Sequence, residues 1–166
     1  MKSIDELIKT PLSLQQVKRR LPGTKVMEYP DFAMMKTLPE KCVYLFLTSD
    51  NYGHFCAVMR RGNAVELFDS YGLPPEGEHA FVSREMLDHL KERDDLILNI
   101  CKENGWNVLH NKKRLQEWKG SETCGRHCIE RIRQFDTPIQ DYVKWLTGIA
   151  KSAKTTPDAV VCYMVP

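Results

Sequence analysis

Three runs in the middle of the chain carry the clearest patterning: Cys42–Leu47, His54–Arg60 and Ala64–Phe68. Each is rich in β-branched or aromatic residues and bounded by polar turn residues, which predicts strands. Upstream, Ser13 precedes Leu14-Gln15-Gln16-Val17, a capping-box spacing that predicts a short helix to about Leu21 before Pro22-Gly23 stops it. Thr24 to Glu40, broken by Pro30 and Pro39, reads as loop. Ser83 predicts a helix cap, with the helix running to about Arg93. Leu96–Cys101 is compatible with strand or helix, because so short an apolar run has no decisive period. Trp106–Leu109 predicts a further strand paired to the sheet.

From Cys124 the period becomes helical, with Ile129, Ile132 and Phe135 on one stripe. Pro138 opens a second helix carrying Tyr142, Trp145, Leu146 and Ile149, and Thr156-Pro157 opens a third with proline at its first position. The expected fold is α+β, a mostly antiparallel central sheet followed by a helical C-terminal third. No repeat or linker divides the sequence, so residues 1–166 are expected to form one domain.

Composition narrows this little. An apolar content of 42% and a charged content of 28% suit a globular domain, and a net charge of +2 names no partner. Met-Lys-Ser-Ile-Asp-Glu-Leu lacks the apolar run expected of a signal peptide, and no apolar run is long enough to span a membrane as a helix. A reducing compartment is therefore expected, with Cys42, Cys56 and Cys162 as small buried hydrophobes rather than disulfide partners.

Candidate chemistry centres on Glu122-Thr123-Cys124-Gly125-Arg126-His127-Cys128. A cysteine at the start of a helix meets unpaired N–H groups and the positive end of the helix dipole, which favour its thiolate. Its own N–H is a candidate oxyanion donor, and Gly125 would let a substrate carbonyl approach. Cys128, one turn further on an apolar stripe, is expected to be buried. Cys124, His127 and Cys128 also suggest zinc, but no second cluster of comparable spacing accompanies them, and no metal or other cofactor is expected. His79, His89 and His110 are expected to be exposed and without chemical partners.

His54 and Asp69 lie about a hairpin centre. A turn at Arg61-Gly62 would place them directly opposite one another; a turn at Gly62-Asn63 would oppose 54 with 71 and leave Asp69 diagonal. Either register lets a carboxylate orient the imidazole. Gln116, eight residues before Cys124, is a candidate second oxyanion donor through its side-chain amide.

These blocks together resemble the adenovirus-type maturation proteases (adenain) and the SUMO-specific deconjugating proteases, with the shorter proteases of virophages and Polinton-like elements most similar. The resemblance rests on Gly53-His54-Phe55-Cys56-Ala57-Val58, on Val65 through Gly72, and on Gln116 through Cys124-Gly125 with the following helix. It implies a papain-like, adenain-like architecture, His54 as general base, Asp69 as its orienter, Cys124 as nucleophile and Gln116 as oxyanion donor. Phe55 stands where many members carry tryptophan, and with Gly125 is assigned to substrate binding. Gln116 is one or two positions further from the cysteine than in those families, and the acidic member is aspartate rather than adenain's glutamate. The cysteine through which adenain binds its activating peptide has no good counterpart, so peptide activation is not expected.

The expected function is a viral maturation cysteine endopeptidase that cuts capsid or core precursors at glycine-containing sites, in the virion or the host-cell virus factory. The alternatives are an isopeptidase for a ubiquitin-like modifier and a zinc-binding module without activity. A monomer without membrane contact is expected. Lys18-Arg19-Arg20 and Lys112-Lys113-Arg114 leave weak DNA association open.

Overall fold

The structure is a computed structural model that describes residues 2–50, 52–90 and 95–166. Its centre is a five-stranded sheet in the order β1 (Lys25–Glu28), β2 (Lys41–Ser49), β3 (Tyr52–Arg61), β4 (Ala64–Phe68), β5 (Asn107–His110). The three middle strands are antiparallel, whereas β1 runs parallel to β2 and β5 parallel to β4. The sheet is thus mixed: antiparallel at its centre, parallel at its edges.

Alternation along the middle strands explains why they read as continuous apolar runs. Successive side chains point to opposite faces, and here both faces are covered. Val43, Leu45, Phe55, Ala57, Met59 and Phe68 pack under α2 (Leu14–Arg20), α6 (Cys124–Arg133), α7 (Ile139–Ser152) and α8 (Pro157–Met164). Tyr44, Phe46, Cys56, Val58 and Leu67 face a second core with α3 (Tyr29–Ala33), α4 (Arg84–His89) and α5 (Leu96–Glu103). A further short helix, α1 (Ile4–Ile8), precedes them all.

Several expectations change. The segment from Thr24 to Glu40 is not all loop: it holds edge strand β1 and helix α3, with Pro30 inside the first turn of α3. A four-residue strand and a five-residue helix are too short to leave a periodic signature. Leu96–Cys101 resolves as helix, because Ile97, Ile100 and Cys101 bury one face against the second core. The helix capped by Ser83 ends at His89, and the rest of its predicted length, to Arg93, falls partly outside the described residues. The expected strand after Trp106 is β5.

The C-terminal third is helical as the pattern predicts, with Cys124 opening α6, Pro138 preceding α7 and Thr156 capping α8. The capping box at Ser13 is also present: the Gln16 N–H donates to Ser13 Oγ at 3.2 Å and the Ser13 N–H to Gln16 Oε1 at 2.8 Å. All six cysteines are free and buried. Among the described residues no helix is long and apolar enough to cross a membrane.

A buried ion pair and a buried histidine–aspartate contact fix α6. Arg131 donates through Nε to Glu66 Oε1 of β4 at 2.7 Å and through a terminal nitrogen to Oε2 at 2.9 Å. His127 Nε2 lies 3.0 Å from Asp158 Oδ1 of α8. The helix that presents Cys124 is therefore tied to the sheet at one end and to the C-terminal helix at the other.

Candidate active site

Helix α6 begins without a side-chain cap. Its N-cap residue, Thr123, instead donates its hydroxyl to Asp158 Oδ1 and lies 2.9 Å from the Ser121 hydroxyl. The first-turn N–H groups and the positive dipole end are left to favour a nearby anion. Cys124 stands at this end and lines a cleft of about 400 Å³ together with Leu12, Leu14, Leu45, Phe55 and Glu122. A larger cavity of about 680 Å³ beside β5 and the start of α7 contains none of the thiol-site residues. The chemistry favours the smaller cleft.

Close approach of α6 to β3 leaves little room for a side chain after the cysteine. A Cβ at Gly125 would stand 3.2 Å from both Phe55 Cδ2 and Val17 Cγ2. Phe55 lines the cleft, while Gly125 lies behind it. Packing against Phe55 and Val17 by itself restricts the side chain at position 125.

His54 is the third residue of β3, paired in register with Phe46 of β2. The hairpin closes at Gly62-Asn63, since Arg61 opposes Ala64. Gly62 has φ +56, the positive value that primed hairpin turns need at their first central position. Of the two registers open to the sequence, this is the one that leaves Asp69 diagonal to His54. β4 ends at Phe68, and just beyond it Asp69 Oδ1 reaches His54 Nε2 at 2.9 Å. Tyr71, the residue this register carries towards His54, stacks on the imidazole at 4.6 Å between ring centroids.

Asp69 is held on several sides. Its N–H donates to Asn111 Oδ1 at 3.0 Å, and its Oδ1 also accepts the Tyr71 N–H at 2.7 Å. Burial works against its charge, but the His54 imidazolium and then the neighbouring Glu78 carboxyl keep its affinity for protons below the ordinary value. Burial likewise pushes His54 down, yet Asp69 and the Cys124 sulfur outweigh it and hold the imidazole well above its usual range. The Cys124 sulfur is thus near enough to act on the ring electrostatically. With Nε2 engaged by Asp69, Nδ1 is the nitrogen left to serve the thiol.

The structure separates the two neighbouring cysteines. Cys128 is fully buried, donates its thiol to the Phe55 carbonyl at 3.4 Å, and has its thiolate disfavoured first by burial and then by Cys124. His127 turns away to Asp158, so Cys124, His127 and Cys128 do not converge as the zinc reading requires. Among the described residues the ligand-type side chains that do converge are His54, Cys56, Asp69 and Glu78, whose donor atoms all lie within 4.8 Å of one another.

Gln116 is buried in the adjoining polar wall. Its Oε1 accepts from Ser70 Oγ at 2.6 Å, while Nε2 donates to the Ser121 carbonyl at 2.9 Å and to Tyr71 Oη at 3.3 Å. Both amide hydrogens are engaged, so an oxyanion would have to replace the longer bond, to Tyr71. Of the other histidines, only His89 is exposed as expected, and it pairs with Asp50 at 3.2 Å. His79 is half-buried against Phe46 and Tyr29, and half-buried His110 has Nδ1 3.1 Å from the Asn111 carbonyl.

Sequence reasoning missed Tyr71, Glu78, Asn111 and Asp158. Tyr71 alone carried a signal, since the Gly62-Asn63 register points to it. The other three reach the site from loops and a distant helix.

The chain is 24% identical over 170 residues to "Uncharacterized protein V9" of the Sputnik virophage, with 97% of each chain covered. The likeness is viral and spans nearly the whole chain. It agrees with the virophage side of the resemblance noted above and names no activity. No family model matches the chain. Among solved structures it is similar to the central domain of the uncharacterized Lpg1148 protein from Legionella pneumophila. That similarity has 16% identity and a TM-score of 0.38, covering 78% of this chain and 81% of that one. A score this low supports no assignment of fold.

Proposed function

We propose that this chain is a cysteine endopeptidase of adenain-like architecture that processes viral capsid or core precursors at glycine-containing sites. The observation that carries the reading is the row Cys124–His54–Asp69, built from an uncapped helix start, a strand start and a strand end beside one cleft. The virophage relative supports the viral context.

In this reading the Cys124 thiolate attacks the scissile carbonyl carbon, forming the C–S bond. The resulting oxyanion is received by the Cys124 N–H at the helix end, with Gln116 as second donor. The imidazolium of His54 passes its Nδ1 proton to the amide nitrogen as the C–N bond breaks, releasing the amine and leaving a thioester. Water then gives a proton back to Nδ1 and attacks the thioester, and C–S cleavage regenerates the thiolate. Asp69 keeps the ring in the tautomer and orientation that both transfers need. Neither a metal nor a cofactor is required.

The decisive experiment maps a cysteine-directed electrophile by mass spectrometry and pairs it with cleavage of recombinant capsid precursors. Selective labelling of Cys124, with precursor cleavage lost in Cys124→Ala, supports the proposal. Preferential labelling of another cysteine defeats it. Cleavage of a modifier-linked substrate with none of the precursor would replace it with the isopeptidase reading. Stoichiometric zinc in protein unreactive to iodoacetamide would favour the zinc module. Salt-dependent binding to duplex DNA, lost when Lys112, Lys113 and Arg114 are changed to serine, tests the DNA association.

A further inference from the structure

A second carboxyl stands behind the aspartate. Glu78 is buried in the 3₁₀ turn Gly77–Phe81, and its Oε1 accepts the Cys56 thiol at 3.0 Å. Its Oε2 and Asp69 Oδ2 are both buried and left over once every other hydrogen bond is assigned. Both carboxyls belong to the group whose donor atoms lie within 4.8 Å of one another. Two ionised carboxylates cannot share a buried space without a large repulsion, and one proton between them removes it. Asp69 Oδ1 already accepts from His54 and from the Tyr71 N–H, so Asp69 is the partner held as the anion.

We propose that Glu78 is a positioning residue of this site, its neutral carboxyl donating to Asp69 Oδ2 and fixing that aspartate against His54. The inference rests on the thiol-protease reading for its consequence, but the shared proton itself does not. The turn is well placed for this role. The preceding residue, Glu76, accepts from Tyr29 Oη at 2.5 Å and from the Ile97 N–H at 3.3 Å, which anchors the turn to α3 and α5. The groups around Glu78 agree in sign. Asp69, Cys56 of β3, Tyr44 of β2 and Cys128 of α6 are neutral or anionic, and the opposing positive charge comes from His54. Burial first, and the contact with Asp69 second, push the Glu78 carboxyl up to about 8.

Two measurements test this on the full chain. Carbon-13 NMR of the carboxyl groups in the wild type should show Glu78 titrating near pH 8, with Asp69 responding to the same step. This arm holds even if Cys124 proves inert, and titration of Glu78 in the ordinary carboxylate range overturns the inference. A wild-type step absent only after zinc chelation would overturn it in favour of a metal site.

The second arm follows iodoacetamide alkylation of Cys124 against pH. Glu78→Gln keeps a donor to Asp69 and should stay within twofold of the wild-type rate at pH 6.5 while losing the alkaline step. Glu78→Leu, checked for folding by circular dichroism, should slow alkylation several-fold at pH 6.5. Cys56→Ala removes a donor that favours the ionised form, so it should move the step to higher pH. An unchanged step in Glu78→Gln overturns the inference. A wild-type Cys124 that does not react at any pH defeats the protease reading instead.

Discussion

In the proposed reading, one helical turn separates the reactive thiol, Cys124, from the inert one, Cys128. Both Cys124 and Cys128 are largely buried, but only Cys124 lies at an uncapped helix start beside an imidazole and a cleft. Cys128→Ala should therefore keep most cleavage activity and cost on the order of 1 kcal/mol of stability. Cys124→Ala should abolish activity with little change in melting temperature. Cleavage assays and thermal unfolding of the two variants check this, and equal loss of activity would mean that the wrong sulfur has been named. His54→Ala should be nearly inert. Asp69→Asn, which keeps the shape but offers the wrong hydrogen bond to Nε2, should lower kcat by roughly 10²–10⁴.

The histidine and its partner also set a sign for pH. His54 holds its proton more tightly in the folded chain than when unfolded. Its contribution to stability is therefore fully present below about 6.5, an ordinary histidine value, and is lost as pH rises through the folded one.

At the scale of elements, the buried Arg131–Glu66 pair locks α6 onto β4, with Arg61 adding a donor to Glu66 at 3.2 Å. Arg131→Met should destabilise the fold by about 3–5 kcal/mol, because it takes the bidentate partner from the buried Glu66 charge and leaves it only the longer contact with Arg61. Adding Glu66→Leu should recover much of that loss, which denaturant unfolding of the single and double variants measures. A single variant costing no more than an exposed ion pair would show that the pair does not hold the helix. The site's other supports are similar in kind. Arg126 of α6 donates to the Thr10 carbonyl at 2.7 Å and to the Val165 carbonyl at 3.0 Å, which binds the segment before the cleft wall and the C-terminal end to the same helix.

The elements were readable in the sequence where they were long or had marked ends. The capping box at Ser13, Pro138 and Thr156-Pro157 located helices to within a residue or two, because local backbone groups must be satisfied locally. β1 and α3 escaped notice because their identity comes from pairing with β2 and from burial of Tyr29 and Phe32. Glu78 escaped for a related reason: a carboxylate in a Pro-Pro-Glu-Gly-Glu stretch looks solvated until Cys56 and Asp69 close over it.

For the whole molecule, buried carboxyls should shape the stability curve. Asp69 and Asp158 are held below their ordinary 3.8, Asp158 against its burial chiefly by the hydrogen bond from His127, so both stabilise above that value and lose the effect in acid. Glu76 and Glu78 are pushed by burial to about 7 and about 8 from an ordinary 4.5. The folded chain thus holds more protons than the unfolded one between those limits, and stability falls as pH rises through them. Together with His54, these groups predict a maximum on the acid side of neutrality. Urea midpoints from pH 4 to pH 9 test it, and a maximum above pH 8 would contradict the assignment of these carboxyls.

The sequence by itself determined the local matters: where the capped and proline-led helices start, which three central runs are strands, which cysteine opens a helix, and that one hairpin carries both His54 and Asp69. These follow from short-range sterics, capping and periodicity, which operate over a few residues. Only the tertiary structure decided the hairpin register at the site, the direction of the edge strands, the fate of His127 and the arrival of Glu78 behind Asp69. Those depend on which distant groups share one buried space, where unpaired charge is too costly to leave alone.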